Sequence, residues 1–164
     1  MSSKVKTILC AIALSPNTDR IVMSAVQEAV AHDAQVHLLH IIPSYDASMA
    51  VPIVSFMGEE KFHQLIEEHK EETVTAIRGE IDAVKETVRE GGIGESVDRI
   101  EKIHVYEGDP ELEILNMVKT LNADMVVMGT HAKGITEHTF LGSVARKVLR
   151  RVTVPILLVP PVKS

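Results

Sequence analysis

Along this chain, short and nearly continuous apolar runs alternate with longer stretches in which apolar residues recur every three or four positions. The runs cover residues 5–13, 36–42, 123–128 and 154–159. Unbroken apolar stretches of this length read as strands buried on both faces of a parallel sheet. A further run, residues 97–107, interleaves Asp98, Arg99, Glu101 and Lys102, as suits an edge strand or its approach. Pro155, inside the last run, also points to an edge, because proline cannot donate to a ladder.

The stretches between have helical spacing. After Ser15-Pro16, where Ser suits an N-cap and Pro the first helical position, the residues Val22, Ala25, Val26, Ala29 and Val30 share one face. Residues 57–90 form a long amphipathic helix with Phe62, Ile66, Val74, Ile77, Ile81 and Val88 in its stripe and a solvated face of Glu, Lys and Arg. Gly91-Gly92-Ile93-Gly94 then breaks it. These glycines follow a helix and precede a strand, the wrong order for a dinucleotide loop, so they read as a turn. Asp109-Pro110 caps and opens the next helix, with Ile114, Leu115, Val118 and Leu121 buried. Residues 43–56 hold two prolines and no clean period, and read as an apolar loop that covers something: a ligand site, a dimer contact or the body of the domain.

Strands alternating with helices imply parallel pairing through right-handed crossovers, hence a doubly wound, five-stranded α/β sheet with helices on both faces. In such sheets ligands bind at the carboxyl ends of the strands, where the strand order reverses. With 164 residues, residues 1–164 are expected to form a single domain.

Charge and cysteine narrow the function classes. A net charge of −6 argues against a general nucleic-acid binder, which needs a basic face. No apolar run reaches the roughly 18 residues a membrane span needs. The one cysteine, Cys10, lies in the first strand, has no internal disulfide partner and fits a reducing compartment; cytoplasm is the expectation. Arg146, Lys147, Arg150 and Arg151 crowd the last helix, either to complement its dipole or to meet an acidic partner. His37 and His40 are three apart on a strand and point to opposite faces, so they cannot share a metal. His63 and Glu67, four apart on a helix, make only a lone pair. No P-loop motif occurs and no base for Ser143 is evident, so no catalytic set or metal site is assigned.

The candidate chemistry lies in residues 125–145. The fourth strand ends at Gly129, and Gly142-Ser143 opens a helix carrying Val144, Val148 and Leu149. Free N–H groups, the positive end of the helix dipole and the Ser143 hydroxyl all meet there, which suits a phosphate. Gly129-Thr130-His131-Ala132, nine residues, then Gly142-Ser143 resembles the signature of the universal stress protein family, with Ala132 in place of its second glycine. The resemblance extends over nearly the whole chain, from KTILCAIALSPNTD through HLLHII to VPILLVP.

That resemblance implies the strand order 3-2-1-4-5, a homodimer through the last strand, and an ATP or other adenine-nucleotide site, with Mg2+, acting as a regulatory ligand site. Carried over by residue, the loop contacts are Met128, Gly129, Ala132, Gly142, Ser143, Val144 and Ala145, and the adenosine side is Ala11, Ile12, Ala13 and Ile41. Ala13 stands where the ATP-binding branch has Asp, so a charged hydrogen bond of about 1.5–3 kcal/mol is absent. Lys133 and Gly134 supply a nearby cation and turn residue, and His131 and His138 share the loop. Two alternatives stand beside nucleotide binding: a family member acting only through homodimer and protein contacts, which Ala13 favours, and a slow ATP hydrolase.

Overall fold

The computed structural model describes residues 4–44, 47–131 and 141–162. Five strands form one parallel sheet: β1 (Thr7–Ile12), β2 (Gln35–Pro43), β3 (Ile100–Gly108), β4 (Met125–Gly129) and β5 (Ile156–Val159), in the order β3-β2-β1-β4-β5. This is the doubly wound arrangement expected, with β1 at its centre. Ala11 of β1 pairs with Leu39 on one side and Met128 on the other. Among the described residues the α-helices are α1 (Thr18–His32), α2 (Ala47–Met57), α3 (Glu59–Val88), α4 (Pro110–Thr120) and α5 (Ser143–Arg151).

Alternate residues of each central strand feed two cores. Ile8, Cys10, Val36, Leu38 and Val127 pack against Val22 and Val26 of α1 and Ile77 and Ile81 of α3. Leu9, Leu39, Ile41, Val126 and Met128 pack against Ile114 and Val118 of α4 and Ala145 and Val148 of α5. Burial on both faces is what the continuous apolar runs encode. It also pushes the Cys10 thiol up to about 12, leaving it inert at neutral pH.

Both edges fall where the residue chemistry put them. β3 is one edge, and β5 the other, with Pro155 just ahead of it accepting the N–H of Val126 through its carbonyl at 3.0 Å. A bulge where Val36/His37 pair with Ile100/Lys102 leaves Glu101 without a register partner. The Glu101 carboxylate sits 3.3 Å from His37 Nε2. At the opposite ends of the strands, Asp124 accepts the N–H groups of Lys6 (2.8 Å) and Thr7 (3.0 Å), tying the start of β4 to that of β1.

Three sequence expectations need correction. Residues 43–56 are not a loop: Ala47–Met57 is a helix with Pro52 inside it. Its apolar residues run almost without interruption, so no polar face revealed the period, and the prolines read as breakers although the turns around Pro52 persist. Val51, Ile53 and Phe56 are exposed on it, and its main packing partner is α3. Gly58, at φ +87°, makes the corner between the two helices, a backbone state that costs glycine least. Second, Ser15-Pro16 does not start α1. Ser15 donates its N–H to Thr18 Oγ1 (2.8 Å) while Thr18 donates its own to the Ser15 carbonyl (3.0 Å), closing a turn before the helix begins at Thr18. Third, β3 begins at Ile100, because residues 94–99 wind as a 3-10 stretch. Arg99 there bonds Asp33 at 2.8 Å and holds its carboxyl below the usual range.

On the β2–β3 edge, His37 Nδ1 lies 3.0 Å from His104 Nε2, with the rings stacked. One proton occupies that contact, so protonating both rings would set N–H against N–H. Burial, and then His37, Lys102 and Arg78, push the His104 pKa below its ordinary value. A folded pKa lower than the unfolded one means the unfolded chain takes the proton first. The contribution of neutral His104 is complete above the ordinary histidine pKa of about 6.5 and is lost as pH falls below it. Urea unfolding midpoints are therefore expected to drop between pH 7 and pH 5, with a shallower drop in His104→Gln. An equal pH slope in the two proteins would refute the assignment.

Candidate functional site

At the carboxyl ends of the central strands, where the order reverses between β1 and β4, the structure opens a cleft of about 660 Å³. Ligand sites fall in this size range and at this place in open α/β sheets. The chain topology creates it. α1 leaves β1 toward one face of the sheet, α5 follows β4 toward the other, and the connections diverge.

One wall is built from strand ends: Ala11 and Ile12 of β1 with Ala13 just after it, Ile41 of β2, and Met128 and Gly129 of β4. Ala11, Ile12, Ile41 and Met128 are buried, whereas Ala13 is exposed at the rim. The other wall is the start of α5: Gly142, Ser143, Val144 and Ala145. Ten of the eleven sequence-assigned site residues thus line one cleft, and Ala132 lies outside the described residues, as do Lys133, Gly134 and His138.

Gly142 is the N-cap of α5 and has no side chain to cap it. The first intrahelical bond runs from the Arg146 N–H to the Gly142 carbonyl at 3.0 Å. The N–H groups of Ser143, Val144 and Ala145 precede it and have no helical carbonyl to bond. They carry the positive end of the helix dipole, and the Ser143 hydroxyl stands exposed among them. An anion is the complementary ligand.

Two backbone bonds hold this end in place. Gly142 donates to the Thr130 carbonyl at 2.7 Å, and Thr130 donates to the Val159 carbonyl at 3.2 Å. The connection between β4 and α5 is thereby closed at its base and seated on β5. Gly142 has an ordinary backbone conformation, φ −64°, so its need for glycine is one of space. A Cβ there would meet the Thr130 oxygen at 3.0 Å and the His131 Cα at 3.3 Å.

Sequence reasoning missed several lining residues. Pro110 and Ile114 of α4 close the far side, Leu39 and His40 extend the β2 wall, and Ser15 and Ile21 approach from the α1 side. Most of these carry core or cap signals, and nothing local says that the side chain also borders a ligand cleft. His131, whose Nδ1 lies 2.9 Å from Thr130 Oγ1, does line the cleft. Two of the basic residues of α5 are engaged in structure: Arg146 donates to the Leu141 carbonyl (3.2 Å) and Arg151 to Glu111 (3.2 Å), joining α5 to α4. His37 and His40 are engaged separately, His37 with His104 and Glu101, and His40 with the Ile12 carbonyl. Among the described residues, no group of three or more His, Cys, Asp or Glu is placed to hold a metal ion.

A parallel sheet in this order, with a cleft at its switch point facing an uncapped helix start, defines a Rossmann-like α/β protein. The model of the universal stress protein family matches residues 4–160. A universal stress protein of Synechocystis sp. is 31% identical over 155 residues, which span 93% of this chain and 96% of that protein. The chain belongs to the universal stress protein family. Among solved structures, the universal stress protein of Lactobacillus plantarum matches the fold with a TM-score of 0.69 at 16% identity, covering 96% of this chain and 99% of that one. A universal stress protein solved in complex with cAMP matches with a TM-score of 0.58 at 18% identity, covering 96% and 98%.

The close approach at Gly142 sets a test of the loop closure. Gly142→Ala is expected to destabilise the fold by about 1–3 kcal/mol, because the added methyl group meets backbone. Gly129→Ala is expected to cost less: its Cβ would meet the Ile21 Cδ1 at 2.9 Å, the tip of a side chain that can rotate. Guanidinium unfolding of both variants checks the order, which equal costs would contradict.

Proposed function

We propose that this protein is a binding module of the stress response that takes an adenine nucleotide, ATP or AMP, as a regulatory ligand. The observation that carries this reading is the meeting of two unlike walls in one cleft: a helix start whose first three N–H groups have no partner among the described residues, and an apolar strand-end wall. In this reading the phosphates lie against Ser143, Val144 and Ala145, with Mg2+ accompanying them when ATP binds. Gly129 and Gly142 let the backbone come close, and Ala132 completes the set. The adenosine lies along Ala11, Ile12, Ala13, Ile41 and Met128. The family member in complex with cAMP supports a nucleotide as the ligand class.

The free outer edge of β5, with Ile156, Leu157 and Leu158 only partly buried, supports a homodimer formed through that strand. No helix among the described residues is long and apolar enough to cross a membrane. Together with the reduced, buried Cys10, this is consistent with work in the cytoplasm. A second reading, in which the protein acts through protein contacts without nucleotide, is favoured by one feature: Ala13 at the rim offers no carboxylate. A slow ATP hydrolase is a third reading, and would require metal-dependent turnover that vanishes on changing Ser143.

Calorimetric titration of nucleotide-stripped protein with ATP, AMP and cyclic AMP, with and without magnesium, separates the first two readings. A Kd on the order of micromolar is expected, lost in Gly142→Asp, whose carboxylate would face the phosphates. No binding by protein whose circular dichroism shows it folded would sink the nucleotide reading.

A further inference from the structure

His40 stands near the carboxyl end of β2, is half-buried, and lines the cleft with Ile12 and Ala13. Its Nδ1 lies 2.9 Å from the Ile12 carbonyl oxygen. A carbonyl oxygen only accepts, so Nδ1 carries the proton, and Nε2 of the neutral ring is left as an acceptor. Among the described residues Nε2 has no hydrogen-bond partner. The tautomer is thus set by a bond to the strand next door, and the lone pair that this bond leaves over belongs to a side chain of the cleft.

The surroundings make that lone pair distinctive. Ala11, Ile12, Ala13 and Ile41, which share this end of the cleft, have no polar side-chain atom. A base seated against them has His40 Nε2 as a side-chain acceptor, the Ser15 hydroxyl being another that lines this side of the cleft. Adenine presents an exocyclic amine at C6, a donor. Hypoxanthine presents a carbonyl at the same position, which sets lone pair against lone pair, and a polar group forced to stay unpaired in a partly buried site is costly.

We propose that His40 is a specificity-determining residue of the cleft: Nε2 accepts the N6–H of an adenine ring and supplies the side-chain acceptor that the methyl group of Ala13 cannot. This rests on the reading of the cleft as a nucleotide site, and adds to it a choice of base. The phosphate end is indifferent to that choice, since the α5 start meets ATP and ITP alike.

The test is calorimetric titration of the full chain with ATP and with ITP, which differ at C6, amine against carbonyl, and at the adjoining N1, an acceptor in adenine and an N–H in hypoxanthine. The wild-type protein is expected to prefer ATP by about tenfold, the worth of one hydrogen bond in such a site. Two variants divide the ring's functions. His40→Asn keeps an N–H where Nδ1 stands, preserving the tie to Ile12, and removes Nε2; its ATP affinity is expected to fall and its ITP affinity to hold or rise, so that the roughly tenfold preference is lost. His40→Gln keeps an acceptor near the Nε2 position and is expected to retain the preference. Equal wild-type affinities for the two nucleotides, a comparison that needs no variant, would overturn the proposal and leave the cleft reading standing. A preference that survives in folded His40→Asn would do the same. Binding of neither nucleotide by folded wild-type protein would overturn the cleft reading, and this proposal with it.

Discussion

The rest of the structure depends on the parallel pairing of β1 on both its edges. Six consecutive residues, Thr7–Ile12, hydrogen-bond β2 on one side, and four of them also register with β4 on the other. Their side chains alternate between two separate cores. A strand so placed has no solvated face and no free edge, so its sequence must be apolar throughout. Because the chain goes from β1 to β2 in one direction and returns to β4 in the other, the helices that follow must pass over opposite faces. The cleft is the space left where those paths part.

Into that space the fold places a helix start whose first N–H groups have no helical carbonyl to bond. The Gly142 cap has no side chain, and the short bond from its N–H to Thr130 holds the helix start against the end of β4. The same glycine that makes the closure possible leaves the first turn open. Structure and binding potential therefore have one cause: close backbone approach excludes a side chain at position 142, and the N–H groups of the turn are left without a capping side chain there. The opposite wall is apolar because it is the top of the two cores, and there His40 is the side chain that brings a committed acceptor to the β2 end.

Not every charged or polar feature serves the cleft. Arg151 joins two helices, Asp124 joins two strand starts, and Arg99 fastens the entry to β3 onto the end of α1. The His37–His104 pair fills the β2–β3 edge with two rings whose contact holds one proton. The exposed apolar face of α2 stands apart from these, carried on α3 and away from the sheet.

The sequence by itself determined the kind and order of elements. Unbroken apolar runs can be satisfied only between two layers, a Pro155 strand only at an edge, and a strand followed by Gly129 and then Gly142-Ser143 only by an open helix start. The resemblance of its glycine loop to the family signature implied eleven site residues, and the fold brings ten of them, all but Ala132, around one cleft. It did not show that residues 47–57 are helical, since a segment almost without polar residues has no face to reveal its period. Nor did it show that His37 meets His104 across 67 positions, that Pro110 and Ile114 close the cleft, or which nitrogen of His40 is free. Periodicity reports that one side of an element is buried, but not what lies opposite. A ring's tautomer is set by its hydrogen-bond partner, and only the tertiary structure decides which carbonyl that partner is.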